Sequence, residues 1–306
     1  MLFVESIARQ YMPELSEMTK LSIACISTTN PVYLVFNKGA SHPELVIRVA
    51  ESKEVCKAHE VTEKLYSVVG GLVPKPVALA HFGGKNFAVQ RGVKGTPWFQ
   101  LSNSILTVSQ LDALRERVVL ALYQLHKGIS SVDEWSTLCE PGQELRESLK
   151  ECLAVGTNLS DGVKQLVEVM SLKLDALGII KTFPQHGDFC LNNLIIDSND
   201  IHVIDFEDFG MTSMPLFDEF SLALSMYSQA TKTSTSSIMN EFKACTKVSA
   251  DQLGIDSKTL PCFFMYHLLL RLGEWSAGDR REQFRQWLLS ILEQFVLEPH
   301  IFFDDL

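Results

Sequence analysis

Apolar positions recur along this chain at two spacings, and the changes from one to the other mark out its elements. Ile7, Tyr11, Leu15 and Met18 lie at helical spacing with Pro13 as a break, so residues 1–20 are predicted helical. Two β-prone runs follow, Leu21–Ser27 and Val32–Phe36, separated by Thr28-Thr29-Asn30-Pro31. Leu45-Val46-Ile47-Arg48-Val49 is a third predicted strand, and a helix runs from Glu51 to about Val68. After Pro74-x-Pro76 come strands at Val77–His81 and Asn86–Arg91 around a Gly83-Gly84 turn. Beyond Gly95 the period becomes 3.6: Leu111, Leu114, Val118, Leu122 and Leu125 form one stripe, opened by Ser109 with Asp112 three residues on. Glu144–Val155 and Asp161–Leu177 repeat this pattern and stop at Gly156 and Gly178. Further helices are predicted over about 238–250, 258–276 and 279–297. Strands with one main helix, then helices, predict an α+β protein with a small sheet lobe and a larger helical lobe.

One stretch interrupts the helical half, His186-Gly-Asp188-Phe-Cys-Leu-Asn-Asn193 through Ile204-Asp205-Phe-Glu207. Leu194–Ile196 and Ile201–Ile204 read as strands, and Asp197-Ser198-Asn199-Asp200 between them is rich in turn formers, so an antiparallel hairpin is predicted. Asn193 lies six positions before Asn199 and Asp205 six after it, which places both at the open end, with Asp188 in the loop just before. Oxygen-bearing side chains at one rim suit a hard divalent cation that keeps several waters and binds substrate phosphates.

The order His186-Gly-Asp188, four residues, Asn193, then Ile204-Asp205 after a hairpin resembles the catalytic segment of the aminoglycoside phosphotransferase and choline kinase family, relatives of the protein kinases. His-x-Asp alone is common, whereas the whole pattern with its spacing is specific. The resemblance implies a two-lobed protein-kinase-like fold: residues 1–94 as a nucleotide-binding lobe with a small antiparallel sheet and one main helix, and residues 95–306 as a mostly helical catalytic and substrate-binding lobe. It implies ATP and Mg2+, with Asp188 orienting or deprotonating the attacking hydroxyl and Asn193 and Asp205 holding the metal on the triphosphate. Arg48 stands where relatives carry a Lys, or often an Arg, on the α- and β-phosphates, a role a bidentate guanidinium can fill. Its helix partner would be Glu60 in preference to Glu63. Ser27 and Thr28 open the loop that takes the place of the phosphate-covering glycine-rich loop, here without a glycine. Gln90 and Gly92 belong to a hinge-like run, Gln90–Gly95, whose backbone would meet adenine. His186 and Asp218 would brace the catalytic loop.

Acceptor-side candidates are Glu207, Glu274 and Trp275, with Arg271 one turn away. For Glu207 a solvated carboxylate, and for the others ordinary packing, stand as alternatives. A quaternary amine would need an aromatic cage, for which Trp275, Trp287 and Tyr266 are available, with helical core packing as the alternative.

Composition narrows this further. A net charge of −10 argues against nucleic acid as a partner. The seven cysteines are scattered without a Cys-x-x-Cys pair, so neither a disulfide framework nor a zinc site is indicated, and Cys190 inside the motif reads as incidental. Glu5 stands where a signal peptide needs apolar residues, and the longest apolar run, Cys262–Leu270, is far too short for a bilayer, so a soluble, cytoplasmic protein is expected. Gly83-Gly84-Lys85 lacks the upstream glycine of a phosphate loop, and no Gly-x-Gly-x-x-Gly occurs. The expected activity is phosphoryl transfer from ATP to a hydroxyl of an amino alcohol, aminoglycoside or sugar-like small molecule, by a monomer or homodimer. The alternative is a catalytically silent kinase-fold protein that binds nucleotide or a partner. A phosphohydrolase lacks the ligand set of a two-metal centre. Thr231–Ser237 reads as a low-complexity loop, and the stretch Phe302–Leu306 carries no readable signal.

Overall fold

The computed structural model describes residues 2–15, 21–26, 31–50, 53–101, 107–230, 237–278 and 281–304. Ser27 and Thr28, the stretch 231–236 and residues 305–306 lie outside the described residues. In chain order the first elements are α1 (Leu2–Tyr11), β1 (Leu21–Cys25), β2 (Val32–Asn37), β3 (Leu45–Val49), α2 (Lys53–Val69), β4 (Pro76–Phe82) and β5 (Lys85–Arg91). Then come β6 (Thr96–Pro97), α3 (Trp98–Leu101), α4 (Val108–Ser130), β7 (Thr137–Cys139), α5 (Pro141–Ala154), α6 (Asp161–Asp175) and β8 (Ile180–Thr182). The chain continues through β9 (Leu194–Ile196), β10 (Ile201–Val203), α7 (Phe217–Ala230), α8 (Ile238–Leu253), α9 (Leu260–Leu272) and α10 (Glu282–Leu297). Two compact units form, Met1–Ser131 with Cys190–Phe209, and Val132–Phe189 with Gly210–Leu306.

In the first unit, five antiparallel strands lie in the order β1-β2-β3-β5-β4, which puts β3 at the centre. Alternation along β3 sends Leu45 and Ile47 into the core and leaves Arg48 on the opposite face. Against that core α1 lays Val4, Ile7 and Ala8, with Met12 just beyond its end, facing Val35, Ala80, Phe87 and Val89. Helix α1 ends before Pro13, which opens a 3₁₀ turn because its ring cannot continue the hydrogen-bond ladder. In α2, Ala58, Val61, Thr62 and Leu65 make the buried stripe, and Glu60 and Glu63 are exposed.

Helix α4 starts two residues earlier than its sequence signature suggests. Thr107, not Ser109, is the cap: its hydroxyl accepts the Gln110 N–H at 3.3 Å, and the Gln110 side chain accepts the Thr107 N–H at 2.9 Å. Thr-x-x-Gln satisfies both orphan donors reciprocally, while Asp112 pairs with Arg115 instead. A second sheet, β10-β9-β6, includes a short strand that the periodicity does not reveal. Gly95 makes that approach feasible: its φ is +132° and a Cβ there would come within 2.6 Å of the Ile196 carbonyl oxygen.

The second unit is built around α9, buried on nearly every side from Pro261 to Leu272, which explains an apolar run without amphipathic period. It packs with α5, α6, α7 and α10. Phe220, Phe242, Phe264 and Phe295, one from each of α7–α10, form an aromatic cluster with Phe302 and Phe303. Phe242 and Phe264 meet edge-on at 4.6 Å, and Phe302 lies 5.6 Å from Phe264. Each such ring, fully buried, contributes roughly 1.5–3 kcal/mol. The stretch that gave no sequence signal therefore supplies two core residues. Strands β7 and β8 form a separate antiparallel pair.

Candidate active site

The hairpin carries the first group of candidate residues. Ile196 pairs with Ile201 and Leu194 with Val203, and the Ile204 N–H donates to the Asn193 carbonyl at 3.0 Å. Asn193 therefore faces Ile204, and Asp205 lies one step beyond. The symmetrical spacing about Asn199 is off by one residue, because the pairing centres between Ser198 and Asn199. Both residues still end the ladder at its open side. Asp205 has φ +69°, a left-handed conformation that Asp and Asn tolerate better than other side chains.

Across from it stands Arg48, held by the central strand of the sheet. Its Nη1 lies 3.4 Å from Asp205 Oδ1, and its Nη2 makes a close charge-assisted contact with Glu207 Oε1. The ion-pair partners of Arg48 are thus the acids that follow the hairpin, while Glu60 and Glu63 occupy the exposed side of α2. The α2 acid whose charge acts on Glu207 is Glu54, in the helix's first turn. One turn along, Lys57 Nζ donates to the Phe209 carbonyl at 2.8 Å. No sequence pattern singled out Glu54 or Lys57.

Burial pushes the Glu207 carboxyl above the usual range, opposed by Arg48 and reinforced by Asp205, Asp208 and Glu54. Asp205, Asp208 and Glu54 thus all favour the neutral form of Glu207, an environment that suits an added cation. Among the described residues no three His, Cys, Asp or Glu side chains converge as a self-sufficient metal centre. Magnesium carried on nucleotide phosphates needs only one or two protein oxygens, and Asn193 and Asp205 provide that donor chemistry. Gln90 of β5 pairs with Val46 of β3 and Pro76 of β4, and the Gly92 N–H is committed to the Glu44 carbonyl at 2.9 Å. A Cβ at Gly92 would fall 1.8 Å from the Pro43 oxygen, so only glycine lets these backbones pass.

The second unit holds the other group. Asp218, fully buried in the first turn of α7, accepts the backbone N–H groups of His186 at 2.7 Å and Gly187 at 3.0 Å. Gly187 has φ +87°, which a side chain would strain. His186 is buried edge-on to Phe189, and its Nδ1 accepts the Asp188 N–H at 3.2 Å. These bonds fix the loop up to and including the Asp188 backbone N–H. The Asp188 carboxylate meets Arg271 of α9, with Nη2 at 3.1 Å from Oδ1. Glu274 is exposed just beyond. Trp275 carries a guanidinium on each face, Arg271 at 3.9 Å and Arg281 at 3.7 Å from the ring centroid.

No helix among the described residues is long and apolar enough to cross a membrane. No curated protein matches the chain. Solved structures do match in fold. A choline/ethanolamine kinase family protein from Mesorhizobium loti is 17% identical with a TM-score of 0.58, covering 97% of this chain and 95% of that one. The aminoglycoside phosphotransferase APH(4)-Ia, as a thermostable variant with ADP and hygromycin B, is 14% identical with a TM-score of 0.61, covering 95% and 98%. A glucosamine kinase with glucosamine, ADP and inorganic phosphate is 14% identical with a TM-score of 0.57, covering 97% and 86%. The fold is thus the kinase-like one shared by these phosphotransferases. The pattern of the APH phosphotransferase enzyme family, phosphotransferases acting on hydroxyl groups, matches residues 27–233, more than half of the sequence, and the chain belongs to that family.

Proposed function

We propose that this enzyme transfers the γ-phosphoryl group of ATP to a hydroxyl of a small, sugar-like molecule. The observation that carries the reading is Asp188: a carboxylate on a loop bolted by Asp218 and His186, within the family's catalytic pattern. Asp188 aligns the acceptor hydroxyl and takes its proton late in a loose transition state. A carboxylate is a weak base at neutral pH, so orientation and charge neutralisation supply most of the acceleration. Asn193 and Asp205 would hold Mg2+, which neutralises phosphate charge when bound. Arg48 gives up part of its contact with Asp205 and Glu207 and turns to phosphate oxygens. Ser27 and Thr28 donate to phosphate, the backbone around Gln90 and Gly92 receives adenine, and the place expected of Glu60 is taken by Asp205 and Glu207, which orient Arg48. In this reading residues 1–94 bind nucleotide, and residues 95–306 carry the catalytic and acceptor groups.

The acceptor preference rests on Trp275. With arginines on both faces, the indole has no free face for an ammonium ion, and the buried charge of Arg271 beside Asp188 disfavours a cationic acceptor. Neutral hydroxyls suit this environment better than choline-like amines. Glu274 is left to hydrogen-bond acceptor hydroxyls. Labelled ATP with a panel of sugars, amino alcohols and aminoglycosides tests the reading. A phosphorylated sugar is expected. Phosphate released alone would indicate hydrolysis, no turnover a silent kinase fold, and phosphocholine as the best product would reverse the acceptor argument.

A further inference from the structure

We propose that Arg271 is the positioning residue of Asp188, a role that rests on the phosphotransferase reading above. Arg271 closes α9, whose residues from Pro261 onward are otherwise almost all buried and mostly apolar. Its side chain is 3% exposed, so a guanidinium has been taken out of water in the core of the second unit. Such burial is costly unless the charge is put to use.

The contacts show where that charge goes. Nη2 reaches the Gly187 carbonyl at 2.5 Å, Asp188 Oδ1 at 3.1 Å and Ser221 Oγ at 3.4 Å. The plane is clamped between Phe217, 5.1 Å from its centroid, and Trp275 at 3.9 Å. The clamp and the Ser221 hydroxyl leave the guanidinium little freedom to rotate. It grips the catalytic loop at two points, the backbone of the left-handed Gly187 and one oxygen of Asp188. Nη1 is buried with no partner among the described residues. An arginine retained only as a structural bolt would satisfy its donors. This one places two of its three hydrogen bonds on the catalytic loop. A methionine would fill the same space and keep the apolar packing, but it would let the carboxylate rotate away from the acceptor.

The test compares Arg271→Met and Arg271→Lys with the unaltered enzyme, using the best acceptor of the panel. In the Met variant kcat is expected to fall about 30- to 100-fold, with the KM for ATP changed less than about threefold and the melting temperature nearly unchanged. The Lys variant, which keeps the charge without the planar group held between the rings, is expected to recover part of kcat. If the Met variant does not fold, the Lys variant carries the test through a roughly tenfold loss of kcat at constant melting temperature. An unchanged kcat, or kcat and melting temperature declining together, would overturn the role. A thermal double-mutant cycle of Arg271→Met with Asp188→Asn is independent of turnover and is expected to be non-additive. Additive shifts would mean that the pair is not formed in solution. Wild-type protein inactive towards every acceptor would remove the reaction itself, and the catalytic role with it, while the cycle still reported on the pair.

Discussion

Arg48 and Arg271 hold acids in the two units, and they do so in opposite ways. Arg48 sits on a sheet face with its side chain 27% exposed, forked between Asp205 and Glu207, whose own side chains are 42% and 34% exposed. Arg271 is sealed between two aromatic rings at 3% exposure and grips a loop. Water and salt weaken the first pairing, so a phosphate can compete for the guanidinium at modest cost. Exchange at the second would require breaking the core. In the proposed reaction the first arginine would change partners and the second would stay.

The largest effect expected from this contrast is at the acid that Arg271 holds. Asp188→Asn should cut turnover at least about 10³-fold while nucleotide binding, measured by calorimetry, survives. Turnover near that of the wild type would break the assignment. Next, Arg48→Ala should raise the dissociation constant for magnesium nucleotide about 10- to 30-fold, roughly 1.4–2 kcal/mol. Arg48→Lys should recover less than half of that in free energy, because an ammonium cannot fork. Equal affinity in all three proteins would mean that Arg48 never leaves its acids.

The smallest effect concerns His267, wholly buried beside Arg271 in α9. Burial first, and then the Arg271 charge, hold its pKa well below the usual value, against the Phe217 backbone and Asp218, which favour the proton. A base whose folded pKa is depressed stabilises the fold above its unfolded pKa and loses that contribution as pH falls. Stability should therefore decline as pH falls through about 6.5, with a slope that steepens towards about 1.4 kcal/mol per pH unit below it. Denaturant midpoints at pH values below about 6.5 measure the slope, and His267→Phe should flatten it.

Much of the scaffold was legible because local pattern and tertiary environment agree. The β9–β10 hairpin follows from short alternating runs and an Asp-Ser-Asn-Asp turn, and β3 from Leu45, Ile47 and Val49 around Arg48. The rest depended on contacts between residues far apart in sequence. Nothing local distinguishes Glu54 from Glu60 or Glu63, since all three are exposed on one helix. Arg271 sits at the end of an apolar run, where no period tells a charged residue at the water's edge from one inside the core. Phe302 and Phe303 are two adjacent rings without periodicity, and only the assembled cluster gives them a place. Ser109 mimicked a helix cap that Thr107 provides.

The left-handed backbone at Asp205 narrows what that position can be. Glycine and asparagine fit the torsion but bring no negative charge. Glutamate brings the charge but prefers other backbone geometry and extends the carboxylate by a methylene. Alanine satisfies neither demand. Conformation and electrostatics, imposed separately, leave aspartate as the single side chain that answers both.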